Sequence, residues 1–376
     1  MHYYNLRQAA GITFNTYDRM EKYLKKIVEE KDTIKKVDLS EKWLEEVPEV
    51  LRECRMVEEI KLTGNDIYEI PDWLFELPHL KKLDISLNDM ETLPSAIIKA
   101  KDLEFLSFDS PIKKPLPKEL ARLKKLKKLV IHEQIYGFPD EFFELTSLEE
   151  IEFYTPKITS IPDSFSNLVN LKSFTLTQLL FEGKAKPIDF EAVIEVLSTL
   201  PKLENLSFSQ AGMSSIPANI NKLPRLKELN LRGNGIKVLP KELFELKDLR
   251  LLDLGQNGIK TVPAEIKNLG QLKTLKLNSN FNPPIDLQNL FNSVKELSSL
   301  QNLQLWSCQT NIKLPENIVD WTSLKELDFD NNKVQHLPES MKQMTGLKKL
   351  RISNNPIPDA EKEGLVKALK GTKVIV

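Results

Sequence analysis

The stretch Leu226–Asp248, LKELNLRGNGIKVLPKELFELKD, decides the fold. Its apolar residues fall at Leu226, Leu229, Leu231, Ile236, Leu239, Leu243 and Leu246, with Asn234 set among them. Leu229 and Leu231 alternate with Glu228, Asn230 and Arg232, the period of two that marks a half-buried strand. The leucines face a core and the residues between them face outward. Asn234 ends the strand, where its amide can donate to and accept from backbone of the neighbouring turns that would otherwise be buried unpaired. Pro240 follows Leu239 where the chain turns away, and KELFEL is expected to form a short helical or 3₁₀ turn. A single such unit has an apolar edge and nothing to bury it against, whereas stacked copies make one continuous core.

The copies are present. The spacing recurs fourteen times, from Ile34 to Leu347, mostly every 23 residues. The turn proline is regular, from Pro48 to Pro338, and the asparagine less so. It stands as Asn65, Asn88, Asn234, Asn257, Asn280, Asn332 and Asn355, with Cys308 in the slot once. In the middle of the chain the slot holds Pro111, Gln134, Pro156, Leu179 and Ala211. That stretch is expected to lack the amide ladder, to curve irregularly and to be the least protected part of the interior.

Two units are long. FEGKAKPIDFEAVIEVLSTLPK and FNPPIDLQNLFNSVKELSS each carry apolar residues at helical spacing, so each predicts an α-helix in place of a short turn. Residues 1–33 do not repeat. Met20, Tyr23, Leu24, Ile27 and Val28 share one helical face there, which predicts an amino-terminal helical cap before a repeat region over 34–358. Residues 359–376 predict a carboxy-terminal cap, with Leu365, Val366 and Leu369 packed back and a closing strand at Val374–Val376. Solenoids need such covers at both ends.

The pattern L-x-x-L-x-L-x-x-N-x-[LI]-x-x-[LIV]-P, as in LKELNLRGNGIKVLP and LRLLDLGQNGIKTVP, resembles bacterial leucine-rich repeat proteins of the 23-residue class. The lead-in TYDRMEKYLKKIVEEKDTIKKVDLS is similar to the amino-terminal cap of such proteins from Bacteroidetes-type bacteria. The resemblance implies an α/β leucine-rich repeat solenoid, a curved horseshoe with a parallel concave sheet and short helices or 3₁₀ turns on the convex side. It also implies a protein-interaction role, and the slots between Leu103 and Leu203 depart from its pattern.

Composition narrows the rest. The chain has 376 residues, 41% hydrophobic and 28% charged, with a formal net charge of −1, so no global field favours nucleic acid. No apolar run approaches the roughly 18 residues of a membrane span. MHYYNLRQAAG shows no basic start followed by an apolar run, so a cytoplasmic location is expected, with a secreted or surface location open if a leader precedes Met1. Cys54 and Cys308 lie too many repeats apart to bridge, which fits a reducing setting.

Catalytic constellations are absent. The four histidines, His2, His79, His132 and His336, have no metal-ligand spacing with each other or with cysteine. There is no phosphate-binding glycine loop and no nucleophile elbow. The run Lys124, Lys125, Lys127 and Lys128 is expected to be neutralised by Glu149, Glu150 and Glu152 one repeat on. The chain therefore predicts neither an enzyme nor a cofactor. What remains is surface: each strand offers its third, fifth and seventh positions to the concave face. Most are polar, but Phe105, Val130, His132 and Tyr154 fall on consecutive strands roughly 5 Å apart, and Trp306 stands further along. These five are the expected partner-binding residues, because aromatic anchors dominate interfaces. His132, with Glu152 expected beside it, would strengthen docking to a carboxylate at mildly acidic pH. The expected partner is a protein of unspecified identity; an adhesion or glycan-recognition role outside the cell is the alternative.

Overall fold

Leucines at the fourth position of each repeat set the register of the sheet. In the computed structural model Leu229 pairs with Leu206 on one side and Leu252 on the other, and Leu252 continues to Leu275, Leu303, Leu327 and Leu350. Identical residues in register stack as one apolar layer, and those seven leucines are at most 2% exposed. The structure describes residues 15–90, 92–109, 116–132, 138–154, 158–177, 187–309 and 314–376, with the side chains of 15–20 and 109 left aside.

The chain forms two compact units, Met1–Leu148 and Glu149–Val376. The first holds helix α1 (Asn15–Glu30) and strands β1 (Lys36–Asp38), β2 (Glu59–Lys61), β3 (Lys82–Ile85), β4 (Phe105–Asp109) and β5 (Lys128–His132). All pair in parallel with their sequence neighbours. The second begins with β6 (Glu150–Tyr154), β7 (Ser173–Thr177), β8 (Asn205–Ser207), β9 (Glu228–Asn230) and β10 (Leu251–Asp253). It continues with β11 (Thr274–Lys276), β12 (Asn302–Gln304), β13 (Glu326–Asp328), β14 (Lys349–Arg351) and β15 (Lys373–Ile375), again parallel in chain order. Parallel neighbours need a crossover, and each short one is a five-residue 3₁₀ turn opened by the repeat's proline, as at Lys241–Glu245 after Pro240. The two long units instead contain true α-helices, α2 (Phe190–Leu197) and α3 (Leu287–Val294), capped by Asp189 and Asp286.

The asparagine slots bear the role expected of them. Asn257 Oδ1 accepts from Ile236 N at 3.1 Å, while its Nδ2 donates to Leu231 O at 2.9 Å and Leu254 O at 3.1 Å. Asn65, Asn88, Asn234, Asn280, Asn332 and Asn355 repeat this pattern. At Cys308 the thiol takes over one bond, donating to Leu277 O at 3.3 Å, and burial pushes its pKa up to about 11. The residue just before the slot turns left-handed. It is glycine at Gly64 and Gly233 (φ 71° and 72°), but Leu87, Gln210, Gln256, Ser279 and Ser307 adopt the same conformation at φ 52–59°.

Pro111, Gln134, Pro156 and Leu179 lie outside the described residues. The strands leading to them are described, and they are longer. Each of β4, β5, β6 and β7 spans five residues, against three for β8 to β15. In these four strands the backbone ladder runs on, pairing Phe108 with Ile131 and Phe153 with Leu176, whereas β8 stays at three residues although its slot holds Ala211. Amides in these added pairs should exchange with solvent as slowly as that of Leu252, with faster exchange confined to the turns. Native-state hydrogen exchange checks this; rapid exchange at Ile131 and Leu176 would show that backbone pairing does not replace the asparagine.

The terminal helices cover less than expected. Ile27 of α1 is 1% exposed, and Tyr23 Oη accepts from Asp38 N at 3.4 Å, but Val28 is 50% exposed. In helix α4 (Asp359–Ala368), Leu365 is buried, as is Leu369 just beyond it, while Val366 is 45% exposed. Each valine stands one residue beyond the buried stripe, about 100° further round the helix. The closing strand is β15, one residue earlier than Val374–Val376.

Candidate functional site

Taken unit by unit, the expected residues divide, with Phe105, Val130 and His132 in the first unit and Tyr154 and Trp306 in the second. In the first unit Phe105 opens β4 and His132 closes β5, and both are half-buried. The register pairs Phe105 with Lys128 and Asp109 with His132. Phe105 and His132 are thus four residues apart along the strand direction, about 13 Å. Val130, between them, is only 6% exposed, which corrects its assignment as accessible surface. It stands mid-strand opposite Ser107, itself 3% exposed, with Lys128 and His132 on the same face to either side. Tyr154 belongs to the second unit, where its hydroxyl donates to Glu152 Oε2 at 2.8 Å. Trp306 follows β12 there, half-buried, with the Arg232 guanidinium 5.7 Å from its ring centre.

The second unit's open face holds more than these two. A groove of about 370 Å³ runs from Tyr154 past Thr175, Thr177, Ser207 and Asn230 to Asp253 and Lys276. Its hydroxyls and amides are presented at strand spacing by β6 to β11, with Leu206 and Leu251 the aliphatic members. Asp253 is 4% exposed and stays satisfied by Gly255 N at 3.0 Å and Lys276 Nζ at 3.3 Å. Beyond Trp306, Asp328 and Asp330 share Arg351 at 3.9 and 3.4 Å.

Asp328 is the carboxylate that burial pushes up, partly offset by the bond it accepts from Asp330 N at 3.0 Å. A raised folded-state pKa means the native state holds the proton to higher pH than the unfolded chain does. Its contribution is therefore complete below the unfolded value, near 3.9, and is lost as pH rises through the folded one. Asp328→Asn should then melt at a higher temperature than the parent at pH 7, and the gap should close below about pH 4. A gap that widens in acid would show that Arg351 outweighs burial.

A second pattern runs along the edge where strands begin. The second position of successive repeats reads Lys35, Glu58, Lys81, Glu104, Lys127, then Glu149, Lys172, Glu204, Lys227. Within the first unit Glu58 bridges Lys35 at 3.3 Å and Lys81 at 2.8 Å, and Glu104 holds Lys127 at 2.8 Å. Lys125 pairs with Asp102, so the lysine run finds carboxylates on the preceding repeat as well as at Glu144. In the second unit Glu149 holds Lys172 and Glu204 holds Lys227, both at 2.6 Å. The alternation then stops. The next members are Arg250, Lys273, Gln301, Lys325 and Lys348. Among the described residues none of these four cations has a carboxylate within 4 Å. Exposed pairs add little stability; their absence along one edge matters for what the edge attracts.

Among the described residues no group of histidine, cysteine and carboxylates could hold a metal, and no helix is long and apolar enough to cross a membrane. The family model described as a leucine-rich repeat region matches residues 72–217 and 214–312. With more than half of its length matched, the chain belongs to the leucine-rich repeat family. Among solved structures it is similar to a leucine-rich repeat protein of Leptospira interrogans, at 26% identity and a TM-score of 0.66, covering 94% of this chain and 98% of that one. An internalin of Listeria monocytogenes (21%, TM-score 0.54, 93% and 88% covered) shares the fold. So does the Toll–Spatzle complex of Drosophila (20%, TM-score 0.54, 82% and 46% covered). No curated protein matches the chain. The family match and the likeness to a bacterial repeat protein bear out the resemblance to bacterial leucine-rich repeat proteins. Leucine-rich repeat regions are interaction domains rather than enzymes, and this chain is one of them.

Proposed function

We propose that the protein seats an acidic protein partner on the open sheet face of Glu149–Val376. The observation that carries this reading is the break in charge alternation after Lys227. Like charges on adjacent strands repel at about 5 Å, and the earlier repeats avoid this by alternating. Arg250, Lys273, Lys325 and Lys348 leave four cations for which the partner supplies the carboxylates. Tyr154 and Trp306 supply aromatic contact area at the far end of the strands, about 16 Å along the strand direction from that edge, and the groove that Tyr154 lines takes polar side chains. Two free, buried thiols, Cys54 and Cys308, support a cytoplasmic location, which cell fractionation tests.

The experiment uses a partner recovered by affinity capture from the native host. Reversing Arg250 and Lys273 to glutamate should slow association by at least about tenfold and flatten its salt dependence. Neutralising Lys35 and Lys81, which have carboxylate neighbours in the first unit, should leave binding unchanged. Equal losses from both pairs, or a loss from the control alone, would remove the second unit's edge as the docking site.

A further inference from the structure

The seventh positions of the repeats form a row across the second unit: Arg232, Gly255, Asn278, Trp306. Gly233 N donates to Gly255 O at 2.9 Å, Gln256 N to Asn278 O at 2.8 Å and Ser279 N to Trp306 O at 2.9 Å, which fixes their order strand by strand. Arg232 and Trp306 meet although two strands separate them. They can do so because Gly255 has no side chain and Asn278 a short one.

Asn278 is the anomaly in this row. It stands on the open face yet is 0% exposed, and neither its Oδ1 nor its Nδ2 has a hydrogen-bond partner. A Cβ placed on Gly255 would lie 2.9 Å from that Nδ2 and 3.0 Å from Oδ1, so the amide rests against the glycine backbone. Buried amides are almost always satisfied, and the seven asparagines of the turn slots are. An orphaned donor and acceptor side by side mark a place for a ligand that brings both.

We propose that Asn278, Gly255, Arg232 and Trp306 form a binding site for a primary carboxamide, the glutamine or asparagine side chain of the docked protein partner. This rests on the open-face reading above and names one contact within it. A primary carboxamide carries its carbonyl and one N–H on the same edge, so it closes a ring of two N–H···O bonds with another carboxamide. A trans main-chain amide holds the two groups on opposite edges and satisfies Asn278 by half. A carboxylate leaves Asn278 Oδ1 without a donor. Trp306 and Arg232 close the row over Asn278, and a cation–π contact on a half-exposed ring is weak enough to open. With Arg232 moved aside, the flat face of Trp306 borders a planar guest. Because no group of the protein pairs with Asn278, an analogue lacking either group is rejected strongly.

The test follows the Asn278 side-chain amide by nitrogen-15 NMR in the full chain, titrated with propionamide, N-methylacetamide, acetate and adenine. Propionamide should shift the Asn278 Nδ2 protons and the Trp306 indole, at least about tenfold more tightly than the other three. Asn278→Leu should remove the indole response, and Arg232→Ala, which opens the cover without touching the amide, should strengthen propionamide binding. No shift with propionamide, or equal binding of N-methylacetamide, overturns the proposal. Preferential binding of adenine would make this a nucleobase site and overturn the protein source. An ordered water on Asn278 that saturating propionamide leaves in place would make it structural. A failed titration leaves the charge-reversal result for the open face standing, so the two readings fail separately.

Discussion

Truncating Leu252 to alanine should destabilise the protein by about 2–5 kcal/mol, the range for deleting a fully buried leucine side chain. Leu252 is 0% exposed and sits in register between Leu229 and Leu275, so the void opens between two neighbouring layers that cannot collapse independently. Leu251 is the same residue type one position earlier, but it is half-buried and borders the groove. Leu251→Ala should cost well under half as much. Urea melts of the two variants measure the difference, and comparable losses would place the wrong leucine in the core.

Removing one slot asparagine should rival the loss of a core leucine. Asn257→Ala deletes the acceptor for Ile236 N and the donors to Leu231 O and Leu254 O, all in the buried interior. Unmade buried hydrogen bonds cost roughly 1–3 kcal/mol each, and water entering the gap recovers part of that, so about 2–5 kcal/mol is expected. Asn205→Ala, on the groove, is the control: that side chain faces solvent, and the change should stay within about 0.5 kcal/mol. Similar melts for the two variants would mean that the turns do not depend on the amide.

The fold was legible because its determinants are local and repeated. Leu229, Leu231, Asn234 and Pro240 each announce a strand face, a strand end or a turn, and the same announcement recurs along the chain. The two long units declared α2 and α3 through their helical spacing alone. The site was less legible, for geometric reasons. Phe105 and His132 are on adjacent strands of one face, but at the third and seventh positions, and strand adjacency says nothing about distance along the strand. Val130 occupies an outward position, yet its burial is set by neighbours that no single repeat contains. Val28 and Val366 show the same limit at the caps, where one residue's rotation decides exposure. The contact of Arg232 with Trp306 depends on what Gly255 and Asn278 lack, which only the alignment of four repeats exposes. The charge alternation from Lys35 to Lys227 stands openly in the sequence, but it becomes a pattern only once the repeats are stacked in register.

The central claim is that the partner sits on the open face of Glu149–Val376. Site-specific photo-crosslinking addresses it most directly, with benzoylphenylalanine placed singly at Ser207, Gln304, Glu245 and Glu316. Ser207 and Gln304 lie on strands of the open face, whereas Glu245 and Glu316 lie on the 3₁₀ turns of the crossovers. The account predicts that the first two positions capture the partner and the last two do not, with capture lost when Arg250 and Lys273 are reversed. Capture from Glu245 and Glu316 alone would place the partner on the crossovers and contradict it.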